Sequence, residues 1–152
     1  NKLEPGLVGF RSHKNMWELD ASRVEYRNSA EKFEFSTMAF GCALGLAKSI
    51  QYLAYIGVED IFKYNRALAD TLVDNLRSKS AVITSPDNKS RSSIVTAYFK
   101  KKDSNKIVEQ LNKRKVYVSK RGKSIRFSPH LYNTIDDIEN GMEQIDSVMK
   151  KI

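Results

Sequence analysis

Residues Ser124 to Asp137 read S-I-R-F-S-P-H-L-Y-N-T-I-D-D, and the fold is read outward from them. Ile125 and Phe127 alternate with Ser124, Arg126 and Ser128. A period of two predicts a short strand with one apolar and one polar face. Pro129 cannot donate to a ladder and stops the strand. Tyr132 and Asn133 turn the chain. Thr134, with Asp137 three residues on, is a helix start of the S/T-x-x-D/E kind. Arg126 therefore stands on the polar face of a strand, beside a tight turn. In a cleft, its fork of donors suits a carboxylate or a phosphate; on an open strand face it is simply hydrated.

Upstream, Lys115 to Ser119 predicts a strand and Lys120 to Lys123, with Gly122, a tight turn. Ser124–Ser128 is then its hairpin partner. Downstream, a helix from Ile135 to about Lys151 buries Ile138, Met142, Ile145, Met149 and Ile152. Asp103 or Ser104 caps a helix that uses Ile107, Val108 and Leu111. Ser92 to Phe99 is β-rich on both faces and predicts a central strand; Ala81 to Thr84 is a short one, followed by a turn at Ser85–Asn88. Met38 to Ile56 places Ala39, Ala43, Leu46, Ile50 and Leu53 at helical spacing, which predicts an amphipathic helix closed by Gly57. Gly41, Ala43, Gly45 and Ala47 make its first half slim, and Cys42 there reads as an inert core thiol. Glu59 to Arg77 is a second helix, with Ile61, Leu68, Leu72 and Leu76 inward. The fold class is α+β: a small antiparallel sheet layered with helices, its elements too segregated for a doubly wound parallel sheet.

Asn1 to Lys32 has no sustained period. Phe10, Trp17 and Leu19 are its expected anchors onto something else, because so long a stretch without structure of its own is unusual in a compact domain. The expected organisation is an irregular segment over 1–37 and a small α+β domain over 38–152.

The 152 residues suit a real core, with ordinary hydrophobic (41%) and charged (29%) content. No apolar run approaches the roughly 20 residues that span a bilayer, so no membrane role is expected. A single cysteine excludes an internal disulfide and fits a reducing, cytoplasmic setting. The net charge of +8 admits nucleic acid. Its cations are spread along the chain, however, without zinc-finger spacing or an aromatic RNP-type strand, and no nucleic-acid partner is expected. His13 and His130 are far apart in sequence and give no metal-ligand spacing. Neither a G-x-S-x-G elbow nor a phosphate-binding G-x-x-x-x-G-K loop occurs. The residues leave a free-standing basic interaction module open.

The string I-R-x-S-P-H-x-Y-N-T-x-x-D-I, from Ile125 to Ile138, resembles the C-terminal signature of class V aminotransferases. These are fold-type-I pyridoxal-phosphate enzymes that include cysteine desulfurases, selenocysteine lyases and isopenicillin N epimerases. Phe33 to Ile61 (F-E-F-S-T, a small-residue-rich helix, then I-G-V-E-D-I) resembles a second family block, and Val116 to Gly122 a third. The three blocks occur in family order and together span nearly the whole chain.

The resemblance implies a C-terminal fragment whose large domain precedes Asn1, and a homodimer acting on an amino acid. It implies that pyridoxal 5'-phosphate is held in the full-length enzyme and not covalently by this fragment, which carries no catalytic residue and no metal site. Lys14 follows His13, as the family's cofactor lysine often follows a histidine. The Gly-rich continuation is missing, and Lys14 is rejected for that role. Arg126 would bind the substrate α-carboxylate. Ser36 and Thr37 match a Gly-Thr pair that contacts the cofactor phosphate across the dimer interface, although serine in place of glycine questions the closest backbone approach. His130 and Asn133 belong to the signature and are expected to order the turn. No cysteine lies between Val116 and Ser124, which disfavours persulfide chemistry. The V-S-x-R-G hairpin is similar to the isopenicillin-N-epimerase-like branch, leaving transaminase, epimerase and lyase reactions open.

Overall fold

The computed structural model describes residues 3–20, 22, 25–86 and 90–152. Asp87 and Asn88 of the expected turn lie outside them. Two compact units divide the chain, Asn1–Tyr52 and Leu53–Ile152.

In the first unit, short 3-10 turns occupy Phe10–Ser12 and Ala30–Phe33, the second capped by Ser29, whose side chain accepts from the Glu31 N–H. An antiparallel bridge joins His13 to Tyr26, flanked by Lys14 N–H donating to Glu25 (3.0 Å) and Arg27 N–H to Ser12 (3.0 Å). Of the residues expected to anchor this segment onto something else, Trp17 and Leu19 are 75% and 78% exposed and Phe10 is half-buried. What holds this segment is polar. Buried Ser12 donates to the Glu34 carbonyl (3.3 Å), Arg11 pairs with Glu34 (2.7 Å), and the buried Lys32 ammonium donates to the Leu3 carbonyl.

Helix α1 (Phe40–Ile56) starts two residues later than its period predicts, and none of its residues is buried. Leu46, Ile50 and Leu53, expected inward, are exposed, and so is Cys42, which is therefore not a core thiol. The helix is apolar nearly all round, the pattern of a helix covered on every side. Within the described chain that cover is not supplied. Gly57, at φ +100°, ends it.

In the second unit, α2 (Val58–Ser78) buries Leu68, Ala69, Leu72, Val73 and Leu76 along one stripe. Strands β1 (Ala81–Ile83) and β2 (Val95–Phe99) precede α3 (Ser104–Lys113), which Asp103 caps by accepting from the Asn105 N–H. Then come β3 (Ser119–Arg121), β4 (Ser124–Phe127) and α4 (Ile135–Met149). The four strands form one antiparallel sheet in the order β1-β2-β4-β3, which confirms the α+β class. β2 is interior as expected, but its faces differ: Val95, Ala97 and Phe99 are buried, while Thr96 and Tyr98 face the other way, half-buried.

The third strand begins later than its sequence suggests. Lys115 has φ +63°, its N–H donates to Asn112 (3.0 Å) and the Val116 N–H to Leu111 (3.0 Å). This ties 115–116 to the end of α3, so pairing starts only at Ser119. The turn shrinks to Gly122-Lys123, with Gly122 at φ +57°, which suits a two-residue hairpin whose first loop residue is left-handed.

Ile125 and Phe127 of β4 join the β2 residues, α2, Ile107 and Leu111 of α3, and Ile138, Met142, Ile145 and Val148 of α4 in one core. Helices thus cover one face of the sheet. The other face carries Thr96, Ser119 and Arg126, which are aligned across the three strands.

Candidate functional site

Alternation on β4 sends Ile125 and Phe127 into the core and Arg126 to the opposite face. There Arg126 is half-buried, and its Nε is enclosed without a hydrogen-bond partner among the described residues. A buried N–H donor left unmade costs about 1–3 kcal/mol, so this donor gains from any acceptor brought to it, a water or a ligand. The surroundings are hydroxyls: Thr84 Oγ1 lies 2.9 Å from Thr96 Oγ1 and 3.1 Å from Ser124 Oγ. Lys123 Nζ sits 4.6 Å from the centre of the Tyr98 ring. This face can hold an anion, with the Arg126 fork as its anchor.

The turn after β4 is built by Asn133. Its Oδ1 accepts from the His130 N–H (3.0 Å) and its own N–H donates to the His130 carbonyl (2.8 Å). Tyr64 Oη of α2 donates to the Asn133 carbonyl (2.8 Å). The His130 ring stacks on Tyr132 at 5.5 Å, with its Nδ1 enclosed and unpartnered among the described residues. Thr134 and Asp137 close a reciprocal capping box at the start of α4: the Asp137 N–H donates to Thr134 Oγ1 (3.2 Å), the Thr134 N–H to Asp137 Oδ2 (2.9 Å). These bonds fix the loop that leaves β4.

Ser36 and Thr37 lie in the other unit, on the exposed stretch just before α1. Neither their hydroxyls nor their backbone N–H groups have a partner among the described residues. Ser36 is not among the positive-φ residues, so the backbone there accepts a side chain where the family pattern has glycine. Hydroxyls and free N–H groups leading into a helix N-terminus are the donor set of a phosphate site. Sequence reasoning missed what fixes this stretch. A Cβ on Gly9 would lie 1.9 Å from the Phe35 carbonyl oxygen, so the two backbones touch there. Only tertiary placement reveals this approach.

Lys14 is exposed. A cleft of about 390 Å³ opens where Val116–Val118 and Phe127–Pro129 separate, floored by Leu72, Met142 and Ile145. Arg126, Thr96 and Ser124 do not line it, and its carboxylate, Asp137, is spent on the helix cap. Among the described residues no group of three or more His, Cys, Asp or Glu could hold a metal ion. Nor is any helix long and apolar enough to cross a membrane.

The chain is 25% identical over 164 residues to a probable cysteine desulfurase of Pyrococcus abyssi, covering 99% of this chain and 40% of the relative. An apo cysteine desulfurase structure from Thermococcus onnurineus NA1 superposes with TM-score 0.82 at 20% identity, over 98% of this chain and 40% of that one. A variant of C-DES, a cystine C–S lyase, bearing glycine covalently linked to its PLP cofactor, superposes with TM-score 0.72 at 18% identity, over 94% and 38%. The chain thus spans about 40% of the length of these relatives. At such identities the structural likeness shows the fold. The model of the aminotransferase class-V family matches residues 12–140, most of the sequence including Ser36, Thr37 and Arg126, and the chain belongs to that family.

Proposed function

We propose that this chain is the small-domain portion of a pyridoxal-phosphate enzyme acting on an amino acid, with Arg126 as the receptor of the substrate α-carboxylate. The observation that carries the reading is the enclosed, unpartnered Nε of Arg126 on a hydroxyl-lined face. Two parallel N–H bonds to one carboxylate would satisfy it. When bound, pyridoxal phosphate supplies an electron sink for bond breaking at the substrate Cα. Ser36 and Thr37 offer the donors for its phosphate, in a homodimer to the phosphate held by the partner subunit. Arg126, by holding the carboxylate, orients the Cα–H bond for that chemistry. The missing large domain would supply the lysine and the groups that seat the ring.

Within the family we favour the isopenicillin-N-epimerase-like branch, because the V-S-x-R-G hairpin from Val118 to Gly122 resembles it, while the lack of a cysteine between Val116 and Ser124 disfavours persulfide chemistry. The relatives named cysteine desulfurases support a second reading, persulfide formation, for which Cys42 is the sole thiol of this sequence. Both readings are tested in the full-length protein by following deuterium exchange at Cα across a panel of L-amino acids, with sulfide release from L-cysteine alongside. Arg126→Lys keeps the charge but loses the fork. It is expected to lower kcat/KM by roughly ten- to a hundred-fold, or ~1.4–3 kcal/mol, with cofactor absorbance unchanged. Wild-type kinetics in that variant would sink the assignment. Sulfide release that vanishes in Cys42→Ser would favour the second reading.

A further inference from the structure

The face that carries Arg126 has more positive charge than one carboxylate can match. Every charged residue between Glu109 and Asp136 is a lysine or an arginine. The hairpin register sorts them. Arg121 pairs with Ser124 and Ser119 with Arg126, so these four share the outer face. Lys120 pairs with buried Ile125 and belongs to the opposite face. Arg121 is therefore a diagonal neighbour of Arg126, at a backbone separation of roughly 7–8 Å. Lys123, in the turn, is held over Tyr98, whose partner on β1 is Val82 of the same outer face.

None of Arg121, Lys123 and Arg126 has a carboxylate partner among the described residues. The Arg121 guanidinium makes one local bond, to the Lys120 carbonyl (2.9 Å), and keeps its other donors free. Like charges on one face of a sheet repel, and an anion set between them relieves that repulsion. A carboxylate at Arg126 neutralises one cation and leaves Arg121 and Lys123 facing the rest of the ligand.

We infer that the ligand of this face carries a second anionic group: an amino acid with an acidic side chain, its α-carboxylate on Arg126 and its second carboxylate on Arg121 and Lys123. This rests on the reading of Arg126 given above. The hydroxyls of Thr84, Thr96 and Ser124, bonded among themselves, add polarity but no charge, so selection between acidic and neutral ligands falls to the two hairpin cations.

The test uses this 152-residue chain, isotopically labelled, and two probes that differ by one terminal carboxylate, glutarate and butyrate, at fixed ionic strength. Amide shifts along β3 and β4 report binding. Glutarate is expected to bind about five- to tenfold more tightly than butyrate, as one added charge-assisted contact allows. Arg121→Gln should lower that ratio, and Arg121→Gln combined with Lys123→Gln should bring it close to one. Lys120→Gln, which removes the same charge from the opposite face, should leave it unchanged. Equal affinity for the two probes, or equal losses in Arg121→Gln and Lys120→Gln, would overturn the inference, the latter because a general field of the +8 chain would then explain binding. Arg126→Gln separates the two readings. If butyrate binds as well to that variant as to the parent, the assignment of Arg126 fails. If butyrate binding is lost and the parent shows no preference for glutarate, only the second anionic group fails. Failure of both probes to bind the parent chain would overturn both.

Discussion

A guanidinium is the most demanding donor group a strand can place on a half-buried face, since its planar N–H bonds need acceptors in fixed directions. Arg126 meets the charge-neutral hydroxyl cluster of Thr84, Thr96 and Ser124 and leaves Nε unsatisfied. Thr37 lies on an exposed stretch, its donors without a partner among the described residues. In the full-length enzyme, Thr37→Ala is expected to weaken cofactor retention by roughly 1.5–3 kcal/mol, the worth of one hydrogen bond to a charged group. Equilibrium dialysis checks this, and unchanged retention would remove Thr37 from the site. Gly9 acts at one remove, through the chain it touches. Gly9→Ala must push the Phe35 carbonyl away. It should break the bonds from Ser12 and Arg11 to Glu34 and cost about 1–3 kcal/mol, the usual penalty of overpacking. Hydrogen exchange at the Arg27 and Glu34 amides should then accelerate, while exchange in the second unit stays as in the parent. Of these residues, Arg126 was legible in the sequence because alternation on a short strand assigns its face. Gly9 was not, because a glycine declares its reason only when the partner backbone is in place. Cys42 was misread for a related reason: apolar surroundings say that a side chain gains from cover, not that the cover lies within the described chain, and the exposure of Trp17 and Leu19 leaves open what they anchor onto.

Elements with a local start signal were read to the residue, and the strand that competes with a helix for its donors was not. The α4 box of Thr134 and Asp137 is written in four residues, and the helix begins at Ile135 as expected. Thr134→Ala should cost about 1 kcal/mol of stability, since the Asp137 N–H loses its acceptor. Denaturant titration checks this, and a cost near zero would mean that water replaces the hydroxyl. The β3 strand shows the opposite case. Val116 and Val118 alternate as a strand would, yet the Val118 N–H is taken by Asn112 Oδ1 (3.2 Å) and the Val116 N–H by Leu111, so α3 outcompetes the sheet for those donors. That competition is invisible to periodicity. The boundary matters for the site, because it narrows the hairpin to Gly122-Lys123 and puts Arg121, instead of the turn, beside Ser124. In β2 the apolar count was right but its division was not: Tyr98 and Thr96 face away from the helices, and Tyr98 receives Lys123 on its ring.

At the scale of the molecule, α1 is the feature that asks for a partner. Phe40, Leu44, Leu46, Ile50, Tyr52 and Tyr55 are all exposed on a helix with no buried residue. Helices this apolar on every side are stable when surrounded, and each large side chain left in water forgoes about 1.5–3 kcal/mol. The relatives are about two and a half times as long, the chain covering 40% of the Pyrococcus abyssi protein. A fragment cut from such a fold should expose what its remainder covered, and α1 is where the exposure concentrates. The chain alone is therefore expected to bind a hydrophobic dye strongly and to associate as its concentration rises. Joined to the large domain proposed above, the same residues should lose dye binding, and the amides of α1 should gain protection from exchange. Substituting Leu44 and Ile50 by glutamine separates cause from coincidence. It should suppress dye binding in the short chain without unfolding Leu53–Ile152, whose core at Leu68, Leu76 and Ile145 includes neither residue. In the long chain the same pair should destabilise, because polar amides would then be buried against an apolar surface. Equal dye binding by the short and long chains, with α1 exchanging equally fast in both, would mean that the helix lies open in the assembled enzyme and that its apolar surface serves some other contact.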